Sequence, residues 1–409
     1  VQVRRRLVIY VQGYDPRGLA EYYRMFRREY RRSCELYGLT GTVGRAENDP
    51  ERFVTTWDTV TCGDGWQVET RYQFLRWEDI IRRDFARPVW WKIVHMYRAM
   101  ARALINGVML RFLRAHWRFG LFILYPMVLM TLWLLLGVVG GLSVAKLAAA
   151  LGAPALVAGL VGAGAGFGAF AAALRLTERQ TYLLYLCDDC VSTYQFAHRQ
   201  RPDWEDRMET FSGYVVDAVR GSDADEVVIV GHSSGSFLAV DVLDRALARD
   251  PALGRHRPRV ALLTIGANFP IVGFHAKAQW FRDRLRRLAL APDIDWVDYQ
   301  SRHDIMNFWP FDPVAGHGID PGAARRNPTV VAISFRDLWV PENFGRRRWR
   351  FFRAHFQLLL ANEQLGAPYD YYLICCGPFD LMTRATRPDE VVAAATGAKK
   401  PGSDPATGR

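Results

Sequence analysis

From Phe119 to Ala145 the chain reads FGLFILYPMVLMTLWLLLGVVGGLSVA, without one charged side chain. Lys146 follows, and LAAALGAPALVAGLVGAGAGFGAFAAAL then runs to Leu174. No other feature restricts the fold as strongly. A helix that crosses bilayer hydrocarbon needs about 20 apolar residues, and each run supplies them. The first run is rich in Leu, Val and Met. The second is built from Ala and Gly, only weakly apolar, and must lean on its neighbour. Gly162 with Gly166, and Gly164 with Gly168, have the four-residue spacing that lets helices approach closely. The expectation is a transmembrane hairpin with spans at about 119–142 and 154–174 and a turn near Gly140–Pro154. A hairpin buried in a soluble core is the alternative, but neither run offers a polar face.

Charge is distributed to match. The formal net charge is +11, and no acidic residue lies between Asp84 and Glu178. Arg87, Lys92, Arg98, Arg102, Arg111, Arg114 and Arg118 fill the approach to the first apolar run, and Arg175 and Arg179 follow the second. Basic residues that lead directly into hydrocarbon-like sequence point to a membrane flank rather than to nucleic acid. They place both ends of the hairpin on the cytoplasmic side of an inner or plasma membrane. Residues 86–118 mix Trp, Met and Leu with Arg at helical spacing, the pattern of an interfacial amphipathic helix. Membrane lipids are the expected partner. The six cysteines form no secreted disulfide framework. Cys187 and Cys190 alone do not supply the four ligands of a structural zinc site. No metal or organic cofactor is implied.

Outside this region short strands alternate with helices. RLVIYVQG opens the chain as a strand, a helix is expected over Leu19–Tyr37, and RFVTTWDTV and WQVETRYQFL read as a hairpin turning at Cys62–Gly65. After the apolar runs come helices around 180–199 and over WEDRMETFSGYVVDAVRG. The strands EVVIVG, RVALLTIG, IDWVDYQS and TVVAISF follow, with helices after the first two. Alternation at these lengths implies an α/β fold with a largely parallel sheet flanked by helices. Both halves are needed to complete one sheet. The expected organisation is therefore one domain in two parts, 1–85 and 180–386, with residues 86–179 inserted. A disordered tail is expected over 387–409, rich in Ala, Gly, Pro and Lys.

One turn carries chemistry. Val227–Ser236 reads VVIVGHSSGS, a buried-type strand that breaks into Gly231-His232-Ser233-Ser234-Gly235 and then enters the helix SFLAVDVL. A residue on a sharp strand-to-helix turn takes strained backbone geometry, and its neighbours must lack bulk. The pattern G-x-S-x-G selects Ser233 as nucleophile; Ser234 sits one place off it.

These residues, with LVIYVQGYDPRG near the N-terminus and the order of the later strands and helices, resemble the α/β-hydrolase superfamily, in its lipase and esterase branch. The resemblance covers most of the chain outside the insertion and tail. It implies an oxyanion hole from the backbone N–H of Gly13 or Tyr14 together with that of Ser234. The family often has His-Gly in the first loop, where this chain has Gln12-Gly13. The family order Ser, acid, His implies a base late in the chain. His355, in RFFRAHFQLLLA, is the first choice and His317 the second. The acid is expected in the loop after IDWVDYQS, at Asp304, with Asp298 and Asp312 as rivals. The implied activity is acyl-ester hydrolysis through an acyl-serine intermediate, on a lipid or lipid-like substrate. The alternatives are a non-catalytic membrane scaffold or lipid-binding protein on a hydrolase fold, and an acyltransferase using the same serine. The aromatic and basic stretch FRDLWVPENFGRRRWRFFRAHF could cover such a site or form a solvated face.

Overall fold

The computed structural model describes residues 2–347 and 350–396. It divides into two compact units. One combines residues 1–82 with those from 196 onward, and the other is Arg83–Gln195. The inserted unit thus ends later than the boundary at 179 expected from sequence. The helix Leu183–Ala197 falls largely within it.

The first unit is built on one mixed sheet. Its strands are β1 (Arg5–Val11), β2 (Thr40–Val43), β3 (Glu47–Asp49), β4 (Val54–Gly63), β5 (Trp66–Leu75), β6 (Glu226–His232), β7 (Arg259–Ile265), β8 (Ile294–Ser301) and β9 (Thr329–Ile333). Their order is β2-β4-β5-β1-β6-β7-β8-β9, with β3 also on β4. From β5 to β9 every neighbouring pair is parallel, whereas β4 is antiparallel to β5, β2 and β3. The sequence explains the two halves. β1, β6 and β7 are almost continuously apolar and almost entirely buried, as parallel strands covered on both faces must be. β4 and the first part of β5 alternate between buried and exposed residues, as suits a sheet with one wet face. The short strands β2 and β3 were not expected from the sequence.

Because β1 lies between β5 and β6, residues from before and after the insertion complete the same sheet. The carboxyl ends of β1, β6, β7, β8 and β9 therefore share one edge. Loops leaving that edge carry the site. The helix Leu19–Tyr37 has the expected bounds. The strand expected over TVVAISF ends at Ile333, and Phe335 begins a short helix. The expected tail from 387 is helical over Pro388–Thr396, with Val391 and Val392 buried. The rest of that stretch, 397–409, lies outside the described residues.

The second unit is helical. The helix Trp117–Ala150 is 34 residues long with a mean hydropathy of 2.3, and Ala155–Thr181 is 27 residues long with 1.8. Both are long and apolar enough to cross a membrane. They extend past the expected spans, and Lys146 lies inside the first helix rather than in the turn, which is Leu151–Pro154. Gly162 and Gly166 meet a second pair, Gly137 and Gly141. A Cβ on Gly141 would lie 2.7 Å from the Gly162 carbonyl oxygen and 3.2 Å from Gly166 Cα. Gly164 and Gly168 face open space instead, so the second expected pairing is not made here. Residues 86–118 form two helices rather than one, Val89–Ile105 and Val108–Ala115. The break is at Gly107, whose φ of 67° ends the first helix. A buried ion pair, Lys92 Nζ to Asp188 Oδ2 at 2.5 Å, ties the helix Val89–Ile105 to Leu183–Ala197. On the same two helices Cys187 Sγ rests against Met96 Sδ.

Candidate active site

β6 drives buried apolar residues straight to the turn. Ser233 follows with φ 58° and ψ −130°, and the helix Ser234–Arg249 begins at the next residue. A non-glycine residue at positive φ is held there by its surroundings, at a cost of roughly 1–3 kcal/mol. Both flanking glycines are required sterically. A Cβ on Gly231 would lie 2.6 Å from Ser236 Cα, and one on Gly235 would overlap the Val11 carbonyl oxygen. The turn is pinned from both sides. Ser233 N donates to the Ile265 carbonyl at the end of β7 (3.1 Å), and Ser236 Oγ donates to the Gly231 carbonyl (3.0 Å).

The loop after β1 closes on this turn. A Cβ placed on Gly13 would be 3.3 Å from Ser233 Cβ and 3.6 Å from Ser234 N. The same Cβ would lie 3.1 Å from the His232 carbonyl oxygen, so glycine eases this close approach. Ser234 opens its helix, where a backbone N–H has no acceptor within the helix. Tyr14 is buried against Trp77 and Trp204, which fixes the peptide between Gly13 and Tyr14. Gln12 is fully buried, and its carbonyl accepts from Trp77 Nε1 (3.1 Å). Gly13 and Ser234 are thus brought together, with Tyr14 as the next residue of the same loop.

Histidine and acid meet on the same edge. His355 Nδ1 donates to Asp304 Oδ2 at 2.6 Å, with both residues buried. Asp304 comes from the loop after β8, and its other oxygen accepts from Met306 N (2.9 Å). His355 comes from the helix Phe351–Phe356, beyond β9. Its Nε2 is buried and has no hydrogen-bond partner among the described residues. Such an imidazole can take a proton at Nε2 while the carboxylate at Nδ1 stabilises the resulting cation.

His232 is expected from the sequence as part of the turn, but its contact with His355, and that of Arg17 with Phe356, are not. His232, the variable residue of the turn, packs against His355 with tilted rings whose centroids are 4.6 Å apart, and its Nε2 donates to the His355 carbonyl (3.1 Å). Burial, and then the neighbouring His355, hold the His232 pKa well below the ordinary histidine value, so it stays a neutral strut. Arg17, paired with Asp15 at 2.6 Å, lies 4.4 Å from the Phe356 ring centroid and joins the loop after β1 to the helix of His355. The motif leaves the identity of His232 open, and its partner His355 and the Phe356 ring beneath Arg17 are both distant in sequence.

The rival residues are occupied elsewhere. Asp298 is buried and accepts from Thr264 Oγ1 (2.5 Å) and Gln300 Nε2 (2.6 Å); burial raises its pKa to about 6. Asp312 pairs with Arg325 (2.7 Å) and caps the backbone of Val314 and Ala315. His317 donates from Nδ1 to the Pro313 carbonyl (2.7 Å) among Phe274, Phe281 and Phe311. His303, next to Asp304, accepts the Phe335 N–H at its Nδ1 (3.3 Å). The stretch expected as cover or basic face forms short helices, Phe335–Leu338, Pro341–Arg347 and Phe351–Phe356. Its residues 348 and 349 lie outside the described residues.

Compared with protein families, with curated proteins and with solved structures, the chain has no match.

Proposed function

We propose that this chain is a membrane-anchored serine hydrolase of the α/β-hydrolase type that cleaves acyl esters. The reading is carried by one observation. A buried His355–Asp304 pair, whose Nε2 has no hydrogen-bond partner among the described residues, occupies the same sheet edge as Ser233 on its strained turn. A strand–turn–helix context for G-x-S-x-G adds to it.

In this mechanism Ser233 Oγ attacks the ester carbonyl carbon as its proton passes to His355 Nε2. Asp304 holds the imidazole in the required tautomer and stabilises the imidazolium. Backbone N–H groups of Ser234 and of Gly13 or Tyr14 take the negative charge that develops on the carbonyl oxygen. His355 returns the proton to the leaving alcohol, which departs and leaves an acyl-serine. Water, deprotonated by the same histidine, then releases the acid and restores Ser233.

The helices Trp117–Ala150 and Ala155–Thr181 would anchor the enzyme, with their arginine-rich flanks on the cytoplasmic side. Amphiphilic esters then reach the site at high local concentration. The test is labelling by a fluorophosphonate probe. Wild type should label, while Ser233→Ala and His355→Ala should not. If wild type stays unlabelled, the chain is a non-catalytic platform; if Ser233→Ala labels equally, Ser233 is not the nucleophile; either result overturns the proposal. Product analysis with and without added alcohol acceptors separates hydrolysis from acyl transfer.

A further inference from the structure

A cleft of about 370 Å³ opens at the carboxyl ends of β8 and β9. Its volume falls in the range of small-ligand sites. Arg302, His303, Trp309, Ser334, Arg336 and Asp337 line it. His303 directly precedes Asp304, so the cleft borders the loop that carries the proposed acid. It also lies on the same sheet edge as Ser233. Two strand spacings, roughly 10 Å, separate β6 from β8, a span that an arginine side chain and a short substrate backbone together can cover.

The arginines are the informative feature. Most arginines of this unit are paired with carboxylates, among them Arg6 with Glu226, Arg207 with Asp79 and Arg287 with Asp244. Arg302 and Arg336 have no carboxylate partner among the described residues. Each guanidinium instead lies over an aromatic ring, Arg302 at 5.9 Å from Trp309 and Arg336 at 5.3 Å from Phe344. Stacking steadies a guanidinium while leaving its N–H edge to bond an oxyanion. His303 is steadied as well, by the Phe335 N–H at Nδ1 and by stacking on Phe335.

We infer that this cleft binds a phosphodiester group of the substrate, an inference that rests on the hydrolase reading above. Arg302 comes from the loop after β8 and Arg336 from the segment after β9, so each addresses a different oxygen. One carboxylate, Asp337, also lines the cleft. Two guanidinium groups against one carboxylate leave a single positive charge, which suits a monoanionic phosphodiester better than a dianionic phosphate. The preferred substrate is then an acyl ester whose alcohol carries a phosphodiester, as in a glycerophospholipid.

The test uses the full chain in detergent and two substrates with the same acyl groups, dihexanoylglycerophosphocholine and dihexanoylglycerol. Removing two charge-assisted contacts in Arg302→Ala/Arg336→Ala should raise KM for the phosphodiester substrate roughly 100-fold, with kcat little changed. Turnover of the neutral ester should stay the same, which also reports that the variant is folded. Equal effects on both substrates, or none on either, overturn the inference. Binding is measured separately by calorimetry on Ser233→Ala, with glycerophosphocholine and inorganic phosphate as probes. Glycerophosphocholine should bind in an arginine-dependent way. If inorganic phosphate binds as well or better, the cleft is a free-phosphate site and the inference fails. If neither ester is turned over but arginine-dependent binding persists, the hydrolase reading fails and the cleft assignment stands.

Discussion

Two imidazoles in the first unit make similar local contacts in opposite electrostatic settings. His355 donates from Nδ1 to the Asp304 carboxylate at 2.6 Å, and His317 donates from Nδ1 to the Pro313 carbonyl at 2.7 Å. A carboxylate offers a full negative charge to a developing imidazolium; a carbonyl offers only a dipole. Around His317 the phenylalanine rings remove water as well, and burial lowers its pKa to about 4. The difference teaches that a nearby acceptor does not make a histidine a base. The charge of that acceptor distinguishes the two, since Nε2 is buried in both. Each imidazole also faces a glycine. Gly266, at φ 56°, is beside the His355–Asp304 pair, and Gly273 is beside His317 Nε2.

Asp304→Asn breaks the comparison most directly, because it leaves His355 with a neutral partner like that of His317. Fluorophosphonate labelling and ester turnover at neutral pH should fall about 10⁴-fold without loss of the folded state. A fall of less than tenfold would remove Asp304 from the mechanism.

His317→Phe acts on the other side. The unfolded chain protonates this histidine near its ordinary pKa of 6.5, while the folded chain resists until about pH 4. Stability is therefore lost as pH falls from about 6.5 to 4, by up to about 3 kcal/mol. Denaturant unfolding at pH 7 and pH 4.5 should show a smaller drop in the phenylalanine variant than in wild type. Labelling at pH 7 should be unchanged; a large loss would make His317 the base.

The two glycines sharpen the contrast. Gly266→Ala forces a Cβ to within 3.2 Å of His355 Cε1 and 3.3 Å of Asp304 Oδ2, in a backbone conformation that costs about 1–2 kcal/mol. Labelling should slow about tenfold if the pair acts as proposed, since catalytic groups misplaced by a fraction of an ångström lose rate. Gly273→Ala places its Cβ against the His317 ring. It should cost about 1 kcal/mol in chemical denaturation and leave labelling intact. If both variants lose labelling alike, the two histidines are coupled and the distinction between them collapses.

Much of this arrangement was legible because its signals are local. The turn at Ser233 could be read from Gly231 and Gly235, whose roles depend on atoms only a few residues away and on the adjacent first strand. Asp304 and His355 were selected by chain order within a resembling family, and they are hydrogen bonded in the structure. The break at Gly107 was missed because Trp, Met and Leu keep their helical spacing across it. The C-terminal helices Tyr371–Cys376, Leu381–Thr386 and Pro388–Thr396 were missed because each is too short for periodicity to register. The sequence leaves Asp298 eligible as an acid, whereas Thr264 on the neighbouring strand β7 and Gln300 on its own strand β8 hold it in the structure.

The sequence by itself determined the alternation of strands and helices, the two apolar helices and the strained turn at Ser233. Each follows from hydrophobic period, length or glycine spacing over a few residues. Only the tertiary structure decided which histidine meets which acid, and that His232 and Arg17 brace the site. It also decided that Gly162 and Gly166, rather than Gly164 and Gly168, face the neighbouring helix. These outcomes depend on how elements far apart in the chain are rotated against one another. A repeated spacing in sequence leaves that rotation open, and packing sets it.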